Sequence, residues 1–201
     1  AEYDDDLAVI LALAANQAPQ PLFLFGHSQG GLITLHLALR GTLPVKAVAV
    51  SNPALANKVQ VPGWKSGLAK VASKYAPTLA VPAGLPPTDI TRDAAEVQAY
   101  DRDPLNSKNA TSRWYTEFLQ AQAEVLARPE AQAVLPMLAL LGTGDRIIDA
   151  AVSEQFFGQV PGGRCQTKIY AGFYHELINE PEAERNQVLG DLQRWLDAQL
   201  S

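Results

Sequence analysis

Between Leu22 and Leu32 the chain reads "LFLFGHSQGGL", and the serine in it stands two residues from a glycine on each side. Gly26–His27–Ser28–Gln29–Gly30 fits G-x-S-x-G, in which a strand turns sharply into a helix and leaves the serine hydroxyl exposed at the turn. Glycines on both flanks leave room for that turn and for close helix–strand packing. Such a hydroxyl can attack an acyl carbon once a base takes its proton. Three histidines are available. His27 adjoins the serine, where neighbouring side chains point in different directions. His36 lies further along the next helix, about 12 Å from Ser28 by helical rise, and packing or surface exposure accounts for both. His175, in "KIYAGFYHELINEPEAER", follows an apolar run and precedes the last helical pattern, so it is the expected base. The base needs a carboxylate that fixes its tautomer and balances its charged form. Asp145, just past the apolar run in "PMLALLGTGDRIIDA", is the expected acid. Asp149 is the local competitor, but it adjoins a helix starting at Ala150 and suits a cap. Asp89, Asp101 and Asp103 fall in a segment that reads as an insertion.

These side chains must be positioned by the elements around them. Strand-like apolar runs occur at Leu22–Phe25, Val45–Val50, Met137–Leu141 and Thr167–Tyr170. Helical patterns lie at Asp6–Ala15, Ser28–Leu39, Thr111–Ala127, Ala150–Phe157 and Glu182–Leu200. Strand alternating with helix predicts a parallel sheet covered on both faces. Ser28, Asp145 and His175 then each follow a strand, at one edge of that sheet. From Asn52 to Asp103 the rhythm breaks: the segment is rich in proline, with two candidate short helices and no strand run between Val61 and Arg113. A stretch this long reads as an inserted cap rather than a loop. Packing within the cap accounts for most of Trp64, Leu68, Val71, Tyr75, Leu79, Val81 and Leu85, with a few left to line a substrate groove.

The 201 residues suit one domain, and no repeat or low-complexity segment interrupts them. The net charge of −5 with no basic cluster argues against a nucleic-acid partner. The single cysteine, Cys165, excludes an internal disulfide, and no His/Cys spacing matches a zinc site. No apolar run approaches the roughly 18 residues of a membrane span. The chain opens at Ala1 straight into a helical pattern, so the polypeptide's true start is expected further upstream.

Beyond these residues the chain resembles the monoacylglycerol lipase and lysophospholipase group of α/β-hydrolases (serine aminopeptidase S33-like). "PLFLFGHSQGG" looks like the group's elbow, and "VAVSNPAL" is similar to the strand and turn leading into its cap. "TRDAAEVQAYDRDPL" looks like the end of that cap, "LLGTGDRIID" resembles the acid loop, and "YAGFYHELINEP" the histidine loop. The resemblance implies an α/β-hydrolase fold: a mainly parallel sheet with helices on both faces and a helical cap insertion. Residues 1–51 and 114–201 would form the core, and 52–113 the cap. Ser28 would be the nucleophile, Asp145 the acid and His175 the base, with the backbone N–H of Gln29 one oxyanion donor. Glu176, Asn179 and Glu180 would be structural neighbours that cap the last helix. The group's first strands, and the His-Gly loop supplying a second oxyanion N–H, are expected ahead of Ala1. The implied reaction is two-step acyl transfer on monoacylglycerol- or lysophospholipid-like esters, without metal or cofactor. The expected setting is the cytoplasm, with transient membrane or micelle contact through the cap. An amidase, peptidase or acyltransferase on the same elbow, a non-catalytic binding module and an inactive truncated form are the rival readings.

Overall fold

Strand and helix alternate through most of the chain, as the apolar runs imply. The structure is a computed structural model describing residues 2–41, 43–58, 63–82 and 85–200. The Trp64 and Val81 side chains, both named above for the cap, lie outside the described residues. The first half contains α1 (Glu2–Gln17), β1 (Phe23–His27), α2 (Gln29–Ala38) and β2 (Ala47–Ser51). Next come α3 (Gly63–Tyr75), β3 (Ala80–Pro82), α4 (Ala94–Arg102) and β4 (Asn109–Thr111). The chain returns through α5 (Ser112–Leu126), β5 (Met137–Gly142), α6 (Ala150–Gly158), β6 (Cys165–Tyr170) and α7 (Glu182–Leu200).

Four strands form a parallel sheet in the order β1-β2-β5-β6. Parallel neighbours need crossovers that place helices on the faces, so the central strands are buried on both sides. Alternate residues divide between two cores. Val48, Val50, Met137, Ala139 and Leu141 face one core with Leu32, Leu35, Phe156 and Phe157. Ala47, Ala49, Leu138 and Leu140 face the other with Leu177, Val188 and Trp195. Each fully buried Leu removes enough apolar surface to contribute about 1.5–3 kcal/mol. Val188 and Trp195, two helical turns apart, fix α7 against the second core. The result is a sheet whose carboxyl edge carries a connection after each strand, and those after β1, β5 and β6 bear Ser28, Asp145 and His175.

Two expectations change. The first helix starts at Glu2 and takes in Asp4 and Asp5 instead of beginning at Asp6, because both have partners on or beyond α2. Asp4 is buried and accepts from His36 Nδ1 at 2.8 Å, while Asp5 pairs with Arg40 at 2.7 Å. The inserted segment does contain strand: β3 and β4 form a short antiparallel ladder pairing Ala80 with Thr111 and Pro82 with Asn109. Strands of three residues are too short to show an alternating pattern.

The apolar residues expected to pack within residues 52–113 also fall differently. Leu68, Val71, Tyr75, Leu79 and Leu85 are exposed, Tyr75 by 75%, rather than packed within the segment. α3 turns its small residues inward: Ser73 is buried, and its hydroxyl accepts from Thr116 on α5 at 2.8 Å. The larger side chains are left on the outer face.

Candidate active site

Ser28 stands between β1 and α2 with φ 50° and ψ −118°, a left-handed conformation that a non-glycine residue adopts at some cost. Its backbone is tied on both sides. The Ser28 N–H donates to Ser51 O at 3.0 Å, and its carbonyl accepts from Leu32 at 3.1 Å and Ala54 at 2.9 Å. Gly26 is required by space, since a Cβ there would lie 2.8 Å from Gly30 O. Gly30 differs from expectation: a Cβ would meet nothing within 4 Å, whereas one at Gly31 would lie 2.8 Å from Pro53 Cβ. The close helix approach expected of the motif's second glycine therefore falls one residue later. Gln29 opens α2, so its N–H belongs to the helix-terminal donors that have no acceptor one turn back.

His175 and Asp145 are almost fully buried, at 3% and 2% exposure. His175 Nδ1 lies 2.7 Å from Asp145 Oδ2, and Nε2 lies 2.8 Å from Ser28 Oγ. A carboxylate can only accept, so Nδ1 carries the proton and Nε2 is left to accept from the serine hydroxyl. The other Asp145 oxygen accepts from the Ile147 and Ile148 N–H groups at 2.7 and 2.9 Å, which fixes the carboxylate's orientation. Asp149 does not approach; it caps α6 by accepting from Ala151 at 3.0 Å. A residue the sequence reading missed also holds this loop. Asn52, at φ 37°, donates to the Tyr174 and His175 carbonyls at 3.0 and 2.7 Å and accepts from Gly142 at 2.9 Å. An asparagine directly after an apolar strand was the available signal, for this residue tolerates a positive φ better than most.

The other two histidines have separate roles. His36 bridges Asp4 at 2.8 Å and Glu124 at 2.9 Å, and so ties α2 to α1 and α5. His27 Nδ1 donates to Ser51 O at 3.1 Å, and its ring lies 4.8 Å from that of His175. Burial, and next the proximity of His175, push the His27 pKa down to about 4. A neutral His27 keeps a second cation away from His175. The consequence for stability has a definite sign. Because the folded value lies below the ordinary 6.5, the unfolded chain takes up the proton first as pH falls. Stability is therefore complete above pH 6.5 and declines toward pH 4, with His27 contributing up to about 3 kcal/mol of that loss. Urea unfolding between pH 4 and 7 should show this slope, and His27→Asn should flatten it. An equal slope in the variant would contradict the assignment.

Glu176, Asn179 and Glu180 do not cap α7. Asn179 donates to the Glu176 carboxylate, and Glu180 is fully buried and faces Arg92 and the Tyr174 N–H. The expected cap role fails because these side chains turn back toward their own loop and the inserted segment.

A parallel sheet, a strained serine between strand and helix, and partner loops after later strands define an α/β-hydrolase. The solved structures that superpose on it agree. They include a monoacylglycerol lipase of Paleococcus ferrophilus, with TM-score 0.86 and 26% identity, covering 98% of this chain and 76% of that one. Another is a soluble variant of monoglyceride lipase from Saccharomyces cerevisiae in complex with a substrate analog, with TM-score 0.83 and 25% identity over 97% and 68% of the two chains. The family model for serine aminopeptidase, S33, matches residues 1–182, and the chain belongs to that family. Among its relatives are the monoacylglycerol lipase of Mycolicibacterium smegmatis, 30% identical over 99% of this chain and 70% of that protein, and the phospholipase YtpA of Bacillus subtilis, 29% identical over 82% and 64%. The alignment thus takes in about two thirds of each relative's length. Among the described residues no helix is long and apolar enough to cross a membrane.

Proposed function

We propose that the chain carries the catalytic centre of a serine hydrolase acting on carboxylic esters of monoacylglycerol or lysophospholipid type. The observation that carries this reading is the His175 ring, bonded to the Ser28 hydroxyl on one side and the Asp145 carboxylate on the other. His175 takes the proton of Ser28 as the oxygen attacks the ester carbonyl, and Asp145 stabilises the imidazolium. The tetrahedral oxyanion is met by the N–H of Gln29 at the start of α2. Collapse expels the alcohol, which leaves with the proton from His175. Water then attacks the acyl-serine by the same route and frees the acid.

The substrate class draws on relatives named as monoacylglycerol lipase and phospholipase. Incubating the full-length protein with 1-monoacylglycerol and with lysophosphatidylcholine, and separating the products, tests it. Release of fatty acid from either ester is the expected result. Cleavage of an aminoacyl amide with both esters left intact would move the activity to a peptidase.

Residues 52–113 we read as the cap over this site, and its outer face as a contact for micelles or membranes. Leu68, Val71 and Tyr75 recur at helical spacing and are exposed on α3, with Lys74 lying over the Tyr75 ring at 5.2 Å. Such a stripe buries its apolar side chains in a lipid surface while the lysine stays at the headgroups. Replacing Leu68 and Val71 by Ser should reduce co-sedimentation with anionic vesicles severalfold; unchanged binding would count against the cap as the contact.

A further inference from the structure

The loop carrying His175 is held from two directions, and one of them is the inserted segment. On the core side Asn52 donates to the carbonyls of Tyr174 and His175. On the other side stand Ile90, Thr91 and Arg92, just ahead of α4. Ile90 O accepts from Glu176 at 2.7 Å, and the Thr91 hydroxyl donates to Asn179 O at 2.7 Å. Glu180 joins these two groups of contacts. One of its oxygens accepts from the Tyr174 N–H, next to His175. The other accepts from Arg92 Nε at 2.9 Å and from the Arg92 backbone at 3.4 Å. The Arg92 guanidinium also lies 4.8 Å over the Phe173 ring and reaches Glu184 at 3.4 Å.

A carboxylate with no exposed surface is an expensive way to fill space, since losing its cation would strand a buried charge. Charge-assisted bonds nevertheless fix direction better than apolar contacts do. Here both oxygens are committed, one to the histidine loop and one to the segment before α4. We propose that Arg92 is a positioning residue: acting through Glu180, it holds the backbone at Tyr174 so that His175 Nε2 stays in line with Ser28 Oγ. Arg92 bonds neither Ser28 nor His175. Catalytic competence therefore depends on how residues 90–92 are seated, which links the inserted segment to the catalytic base. This inference rests on the proposed roles of Ser28 and His175.

The test compares kcat and KM for a small soluble ester in the full-length protein, with thermal melting recorded for every variant and Ser28→Ala as reference. A displaced base slows chemistry without weakening binding. Arg92→Met is thus expected to lower kcat about 10- to 100-fold with KM within about twofold. Arg92→Lys, which keeps the charge, should fall between Arg92→Met and the parent. Glu180→Gln keeps an acceptor for the Tyr174 N–H but turns a donor toward Arg92, and should lower kcat with KM unchanged. A folded Arg92→Met with kcat within about twofold of the parent, or a loss confined to KM, overturns the proposal. If Arg92→Met does not fold, Glu180→Gln decides, and parental kcat there overturns it equally. Turnover retained by Ser28→Ala would instead count against the reading of Ser28.

Discussion

Ser28→Ala in the full-length protein is expected to lower kcat for ester hydrolysis by about 10⁴ to 10⁶-fold while leaving KM nearly unchanged. The substitution removes a single oxygen, the one that would bond to the acyl carbon. The backbone at residue 28 keeps its bonds to Ser51, Leu32 and Ala54, because these use main-chain atoms only. The fold should therefore survive, and alanine tolerates the left-handed φ of 50° no worse than serine does. Any residual activity would come from the oxyanion donor and substrate binding alone. A steady-state assay on purified protein checks this, and turnover within about tenfold of the parent would remove Ser28 from the mechanism.

Asp145→Asn should lower kcat by about 10⁴-fold near neutral pH, with little effect on stability. Both parts follow from the carboxylate's divided duties. One oxygen accepts the Ile147 and Ile148 N–H groups, and the asparagine oxygen can keep those bonds. The other faces His175 Nδ1 at 2.7 Å, where the asparagine amide would present a donor. The imidazole then moves its proton to Nε2, the atom that must accept from Ser28. A correctly placed ring in the wrong tautomer cannot act as the base. The pH dependence separates this from misfolding, since a folded variant that regains rate at high pH has lost the tautomer and not the site. Full activity in Asp145→Asn at neutral pH would contradict the role assigned to the carboxylate.

Much of this architecture is legible in local sequence, and the illegible parts share a physical character. Met137–Gly142 reads as a strand because both of its faces are covered and nearly every residue is apolar. α7 reads to the residue because Val188, Leu192, Trp195 and Leu196 recur on one face of the helix. Ser28, Asp145 and His175 could be singled out because each follows a strand, and parallel strands deliver their loops to one edge. What stays hidden depends on contacts distant in sequence. The Arg92–Glu180 pair spans 88 positions, and neither residue has a local pattern that marks it. Glu180 looks like a helix-capping residue from its neighbours alone. The ladder of β3 and β4 is set by the partner strand, since three residues carry too little alternation to announce themselves. Gly30 and Gly31 are adjacent and chemically identical, and only the approach of Pro53 shows which one space requires.

The most direct measurement is to label the full-length protein with a fluorophosphonate probe, digest it and locate the added mass. Phosphonylation demands that the serine oxygen be activated by its base and able to reach an electrophile, so it reports on the assembled site as a whole. The modification is expected on the peptide containing Ser28, and it should be lost in His175→Ala. A folded protein that stays unlabelled, or one modified at another serine, would contradict the proposed catalytic centre.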